Sequence, residues 1–299
     1  MPPADHPAIT GVVFSKDRAL QLDATLRSFF RHCRDPEQVS LNVVYAGSSR
    51  LWLNQYRQLK LGFPGVEFFA EGDFERDVFN LIGIPLSRWG RFALRAGVAR
   101  RPANKYVLFL VDDNIFVRGF CLSDATSALR REREALGFAL QGGRNLDYCY
   151  PLDIPLKFPA GIPVFGDVIK YRWPDAGDGL NYPLEVSSSL YRLSDIARLL
   201  ARLRFSNPNT LEAQMARHAK SFRRSHPYAL CCTQSVTFCN PVNTVQTTYA
   251  NRAGEEPNHS ASALAQLFDQ GYRIDVAQYD GFVPASCHQE VELLLSKRG

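Results

Sequence analysis

The sequence predicts an α/β protein in which a mainly parallel sheet, flanked by helices, leads into a less regular C-terminal half. Three observations point there. Tyr106 to Val111 is an unbroken apolar run of strand length, as expected for a strand buried on both faces of a parallel sheet. Strand-like and helix-like segments alternate through the first half of the chain, the pattern of βαβ units. The apolar run stops at Asp112-Asp113-Asn114 and resumes at Ile115, which puts acids at the carboxyl end of a strand. Open α/β sheets bind their ligands at that end.

The elements follow in order. Ile9 to Phe14 is a β-rich run ending in the polar cluster Ser15-Lys16-Asp17-Arg18. Leu22, Leu26, Phe29 and Phe30 then share one face of an amphipathic helix. Val39 to Tyr45 reads as a second strand, Leu51 to Leu61 as a helix, and Val66 to Phe69 as a third strand. Ser87 to Ala99 suits a helix before the strand at Tyr106, and Asp124 to Leu140 a charged helix after it. Tyr148 to Pro183 is rich in Gly, Pro and aromatics, too long for a linker, and is expected to pack over a site. Leu184 to Tyr191 reads as a strand. Asn209-Thr210-Leu211-Glu212 has capping-box spacing for a helix carrying Leu211, Met215 and Phe222. A last helix carries Leu264, Leu267, Phe268 and Tyr272, with Gly271 as its stop. The expected division is 1–118 for one ligand-binding half and 119–299 for the other, closely packed.

With 299 residues the chain can bury a substantial core. Its net charge of +5 is spread over scattered Lys and Arg with no long basic run, so the charge does not call for a nucleic acid; a small anion suits it equally. Seven cysteines, an odd number without paired zinc-ligand spacing, argue for reduced thiols in a cytoplasmic protein rather than a disulfide framework. The start, Met1 to His6, shows no secretory signal, and no apolar run reaches membrane-span length, so any membrane association is expected to be peripheral.

Two adjacent carboxylates at a strand end repel each other unless a cation or a proton relieves them. A divalent metal with hard oxygen ligands, bridging to a diphosphate, is the economical explanation. The alternative is a turn at a strand end, where Asp and Asn are favoured. At Ser15 to Arg18, Lys16 and Arg18 could meet phosphate and Asp17 could accept from a ribose or base, or Asp17 could lie near a helix cap. Arg91 and Arg95 stand one turn apart on the helix before the acidic strand, facing either a diphosphate or solvent. Asp73, after the third strand, is a further ribose candidate.

Val13-Phe14-Ser15-Lys16-Asp17-Arg18 with its helix, Leu110-Val111-Asp112-Asp113-Asn114, and Asn207-Pro208-Asn209-Thr210-Leu211-Glu212 occur here in an order that resembles nucleotide-sugar-dependent glycosyltransferases of the GT-A fold, in the broad family 2-like group of bacterial proteins. The resemblance implies a GT-A-like (Rossmann-like) fold with an irregular acceptor-side half. It implies a Mn²⁺ or Mg²⁺ ion held by Asp113 and Asn114, with Asp112 towards the ribose or sugar, and a nucleoside held at Ser15, Lys16, Asp17 and Arg18. Asn114 departs from the pattern, since a second-spaced Asp often stands there and an amide oxygen is a weaker, neutral ligand. The resemblance also admits a late His, His226 or His259, as an additional metal ligand.

An inverting transferase needs a carboxylate to take the acceptor's proton. Glu185 interrupts an apolar strand, where an unpartnered carboxylate is costly. Asp178 lies in Gly177-Asp178-Gly179, and Glu212 has a structural explanation in its capping-box spacing. The order of preference is Glu185, Asp178, Glu212. Tyr171, Trp173 and Tyr182 could stack on an acceptor sugar or anchor their loop, and Pro159 to Gly179 could close over the donor. The expected activity is transfer of a sugar from a nucleoside diphosphate donor to a hydroxyl acceptor, in cell-surface polysaccharide or lipid-linked oligosaccharide synthesis. Two rivals are a binding module without turnover and a nucleotidyltransferase. The latter ordinarily has a glycine-rich loop after its first strand, and Phe14 to Leu20 contains no glycine.

Overall fold

The computed structural model describes residues 8–98, 105–246, 248, 252–254 and 256–297. The expectations for Met1 to His6, for Ala99 at the end of a helix, and for Arg100 and Arg101 lie outside them.

The first half is built from β1 (Ile9–Lys16), α1 (Ala19–His32), β2 (Val39–Ala46), α2 (Arg50–Leu61), β3 (Glu67–Ala70), α3 (Phe74–Ile82), α4 (Arg88–Ala96) and β4 (Tyr106–Val111). After β4 come β5 (Asn114–Phe116), α5 (Leu122–Arg131), β6 (Ala135–Ala139), β7 (Tyr148–Cys149), β8 (Ile154–Pro155), β9 (Ile162–Phe165) and β10 (Val168–Arg172). The chain continues through β11 (Ser189–Arg192), α6 (Leu193–Leu200), α7 (Pro208–Arg217), β12 (Tyr228–Cys232), β13 (Thr237–Cys239), α8 (Ala261–Asp269), β14 (Tyr272–Ile274) and β15 (Leu295–Lys297).

Nine strands form one sheet in the order β3-β2-β1-β4-β11-β6-β12-β10-β9. The strands β3, β2, β1 and β4 are parallel, β11 runs against both β4 and β6, and β12 is parallel to β6. This is the expected α/β class: a mainly parallel sheet flanked by helices. It crosses residue 118 without a break, because β11 pairs directly with β4. Val107, Leu108, Phe109 and Leu110 are fully buried, as their continuous apolar run requires. On α1, Leu22, Leu26 and Phe29 face the core, whereas Phe30 turns outward.

Three expectations are corrected, and one helix was not foreseen. The helix expected over 124–140 ends at Arg131, and Ala135–Ala139 is a central strand. The supposed closing segment at Pro159 to Gly179 contains β9 and β10, which extend the sheet, so it is anchored by strand pairing. Strand structure expected from Leu184 begins only at Ser189, and Leu184 to Ser188 are irregular. Helix α3 was not foreseen, although Asp73 caps its first turn and Gly83 ends it at a φ of 73°.

Candidate active site

In the β1–β4 register, Phe14 lies opposite Val111, so Ser15 to Arg18 and Asp112 to Asn114 leave the sheet side by side. At this edge the Arg18 Nη1 donates to Asp112 Oδ1 at 3.1 Å and to Asp113 Oδ2 at 3.3 Å. Its Nε donates to Asn243 Oδ1 at 2.9 Å, and its Nη2 to the Asn243 carbonyl. Burial works against the Arg18 charge, but Asp112 and Asp113 outweigh it and hold the guanidinium above its ordinary pKa. For the two carboxylates burial is the largest influence and pushes both upward, while Arg18 opposes the shift. Asp112 Oδ2 also accepts the Lys16 N–H at 3.2 Å, and Cys239 hydrogen-bonds Asp113. Two acids against one guanidinium leave one carboxylate uncompensated, a donor set of hard oxygens that fits a divalent cation. Among the described residues, no group of three His, Cys, Asp or Glu side chains is arranged to hold a metal, so such an ion would complete its shell with oxygens from a ligand or water.

Asn114 does not belong to that donor set. Its Oδ1 accepts the Val111 N–H at 2.9 Å, its Nδ2 approaches the Cys239 Sγ at 3.3 Å, and the residue is fully buried. The amide closes the tight turn between β4 and β5, whose other side is pinned by the Thr25 hydroxyl donating to the carbonyls of Asp112 and Asn114. Its expected place among the metal ligands is therefore corrected.

The loop after β1 is engaged within the protein. Asp17 adopts a left-handed φ of 54°, which Asp tolerates better than most residues. Its two oxygens accept the Ser48 N–H at 2.7 Å and the Ser48 hydroxyl at 2.6 Å, so this carboxylate fastens the turn before α2 and is not open to a ribose. Ser15 is buried with its hydroxyl 2.6 Å from the Tyr56 hydroxyl. Only the Lys16 side chain is exposed here. Asp73 caps α3 by accepting the Arg76 N–H at 2.8 Å, and it lines a cleft with Glu71, Phe74, Glu75 and Phe205. Three strand spacings, roughly 14 Å, separate β3 from β4. The arginines expected to face a diphosphate are held elsewhere: Arg91 pairs with Glu75 at 2.6 Å, and Arg95 donates to the Ala201 carbonyl at 3.0 Å.

Because β11 is antiparallel to β4, the chain entering β11 stands at the same edge as Asp112 and Asp113. Glu185 is there, buried, accepting from the Ser187 and Ser188 N–H groups and the Ser189 hydroxyl. Burial still pushes its carboxyl upward. Glu212, on α7, accepts the Val186 N–H at 2.9 Å and the Tyr182 hydroxyl at 3.3 Å. Burial and then the charge of Glu185 raise it to about 7. The expected capping box is displaced by two residues: Asn207 caps α7 with Thr210, which leaves Glu212 free of any capping duty. Both Asp113 and Glu185 act on the buried Cys239 thiol, an electrostatic link between the two acidic groups. Asp178 is exposed and accepts only the Asn181 amide at 3.3 Å, so the fold does not bring it into this constellation as expected.

Trp173 and Tyr171 are buried anchors, the indole N–H reaching the His226 carbonyl at 2.7 Å, whereas Tyr182 is exposed beside Glu212. The His226 ring lies 3.6 Å from Asp195, and His259 meets the site only through its carbonyl, which accepts from Asn243 at 2.6 Å. Asn243 and Cys239 were not singled out from the sequence. Their signal was Thr237-Phe238-Cys239 running into Asn240 and Asn243, a second apolar strand ending in amides.

No protein-family model matches the chain. Over 268 residues it is 27% identical to the bifunctional glycosyltransferase pgtA of Dictyostelium discoideum, covering 80% of this chain and 32% of that protein. The similarity read from the three motifs is thus met in sequence, and the chain spans about a third of the length of this curated relative. Among solved structures it is similar to Staphylococcus aureus TarS (12% identity, TM-score 0.42, 77% of this chain and 36% of that one). It is also similar to the mannosyltransferase PcManGT of Pyrobaculum calidifontis, solved with GDP-Man and Mn²⁺ (11% identity, TM-score 0.38, 78% and 58%). Likeness at these scores adds nothing to the strand order described above.

Proposed function

We propose that the chain is a glycosyltransferase that moves a sugar from a nucleoside diphosphate donor to a hydroxyl acceptor, residues 1–118 holding the donor and 119–299 the acceptor. The observation that carries this reading is the convergence, at one edge of one sheet, of Asp112 and Asp113 just after β4 with Glu185 in the chain entering the neighbouring β11 and Glu212 on α7. The sequence similarity to pgtA supports it.

Each pair has a separate task. Asp113, with Asp112, would hold a divalent cation, Mn²⁺ or Mg²⁺, and that ion when bound supplies neutralisation of the diphosphate's charge. Arg18 holds the two carboxylates together and keeps a guanidinium at the position where a diphosphate approaches. Glu212 is the group suited to take the acceptor's proton. It is partly open, it has one backbone and one phenol donor, and its raised pKa lies where a general base works best. Glu185, satisfied by three local donors, sets the Glu212 electrostatics and shapes the entry to β11. Exposed Tyr182, bonded to Glu212, offers a ring face to an acceptor sugar beside the base.

The acceptor reading extends to a cell-surface polysaccharide or a lipid-linked saccharide, reached from the cytoplasmic side. No helix among the described residues is long and apolar enough to cross a membrane. The test is a panel of uridine and guanosine diphosphate sugars with several acceptors, followed by released diphosphate. Diphosphate release that requires both a matching donor and an acceptor supports transfer. Cation-dependent nucleotide binding without release under any pairing replaces transfer by a binding role.

A further inference from the structure

Helix α4 is amphipathic, but its faces are reversed with respect to the protein. The arginines that should seek water are tied inward, Arg91 to Glu75 and Arg95 to the Ala201 carbonyl. The apolar residues Trp89, 82% exposed, and Phe92, 60%, face out, and exposed Leu86 (38%) precedes the helix and Val98 (77%) follows it. Trp89 and Phe92, three positions apart, stand edge to face with ring centroids 6.3 Å apart, a preassembled pair on the surface. Only Leu94 points into the core.

From this geometry we infer that the outer face of α4 docks onto an anionic lipid bilayer. Charge complementarity selects that occupant. With Arg91 and Arg95 engaged inward, Arg88 is exposed beside Trp89 and Lys105 is exposed further along, while the sequence from Leu86 to Lys105 adds Arg100 and Arg101 and contains no acid. Juxtaposed basic and aromatic residues are the features that bind the interfacial zone of an anionic leaflet. A protein partner fits less well. Two aromatics offering roughly 150–250 Å² each, with Leu86 and Val98, fall short of the roughly 800 Å² per partner of a stable interface. The placement is also apt. Arg91 and Arg204 both reach Glu75 at the start of α3, just beyond the carboxyl end of β3. Ala201 lies just beyond the end of α6, which runs back from the far end of β11. Helix α4 therefore sits towards the edge of the sheet that holds the carboxylates, and docking brings that edge close to the bilayer. The inference does not rest on sugar transfer, and its failure would leave the transfer proposal standing.

The test uses the whole chain with vesicles of phosphatidylcholine, with and without phosphatidylglycerol, read by co-sedimentation and by tryptophan emission, with Trp89→Phe isolating the share of Trp89 from that of Trp52 and Trp173. Preferential binding to the anionic vesicles with a blue-shifted emission is expected. The double variant Trp89→Ser/Phe92→Ser should lose at least about tenfold in partitioning while its thermal midpoint and diphosphate binding stay unchanged. Arg88→Glu should weaken binding to anionic vesicles alone. Equal binding to both vesicle types, no binding by the unaltered chain, or undiminished binding by the double variant each overturns the proposal. So does a dimer that the double variant converts to monomer without any vesicle binding, which assigns the face to self-association.

Discussion

Replacing Glu212 by Gln separates catalysis from stability in a way the structure makes quantitative. The amide is isosteric and preserves the local contacts: its oxygen accepts the Val186 N–H, and its NH₂ donates to the Tyr182 hydroxyl. What disappears is a carboxylate raised from 4.5 to about 7 by burial and by Glu185. Such a displacement corresponds to about 3 kcal/mol against the ionised form in the folded protein. The sign follows from proton counting. Between about pH 4.5 and 7 the folded chain binds the proton that the unfolded chain has released, so this group's contribution is most favourable in acid and is lost as pH rises through 7. Glu212→Gln should therefore match the parent near pH 4 and exceed it by up to about 3 kcal/mol near pH 8, giving a flatter pH profile of stability. Thermal or urea unfolding at the two pH values measures this. Transfer should fall by about 10²–10⁴-fold, as for loss of a general base, with donor binding by calorimetry unchanged. In the parent, the transfer rate should rise with pH through about 7 as Glu212 ionises. A variant that keeps the parent's transfer rate, or that is uniformly less stable at both pH values, refutes the assignment.

Further expectations concern the other acidic pair. Asp113→Asn should cost at least about tenfold in Mn²⁺-dependent nucleoside diphosphate binding, measured by calorimetry; an unaltered Mn²⁺ dependence would remove Asp113 from the cation site. Asn114→Ala leaves the part-buried Val111 N–H without its acceptor, so about 1 kcal/mol of stability should go. The folded variant should retain Mn²⁺-dependent binding, and loss of that binding at full stability would restore Asn114 as a ligand. Arg18→Gln strands two buried carboxylates, and a loss of about 3–5 kcal/mol near neutral pH is expected. Mn²⁺ alone should raise the melting temperature of this variant more than that of the parent, and a cation that stabilises both equally would show that the carboxylates do not accept it.

The parallel half of the sheet was legible because β4 is a contiguous apolar run, while β1 and β2 are β-rich stretches closed by polar clusters. Strand β6 was not, since Ala135–Ala139 is short and follows a charged helix with no turn residue to mark the break. Helix α3 was readable in principle: Phe74, Val78, Phe79 and Ile82 share a face between Asp73 and Gly83. In the site, Asp112 and Asp113 stood out because carboxylates directly after a buried strand have few structural excuses. The inward turn of Asn114 depends on a neighbour, Cys239, 125 positions away, and the Arg18 clamp depends on Asn243, 225 positions away. No local window carries such information. The proposed role of Glu212 was masked by a coincidence of spacing, because Asn209 mimics a cap that Asn207 in fact provides.

The reversed direction of β11 brings two kinds of chain segment to one rim of the sheet. In an all-parallel arrangement only segments leaving strands would meet the rim, each constrained by the helix that must follow it. Here a segment arriving at a strand, Leu184 to Ser188, reaches the same rim, where it is buried and tied to α7 through the Val186 N–H and Glu212. On the proposed reading, changes in that approach act on the Glu212 side of the rim through the Val186 contact, whereas the Asp112–Asp113 side is set by the pairing of β1 with β4.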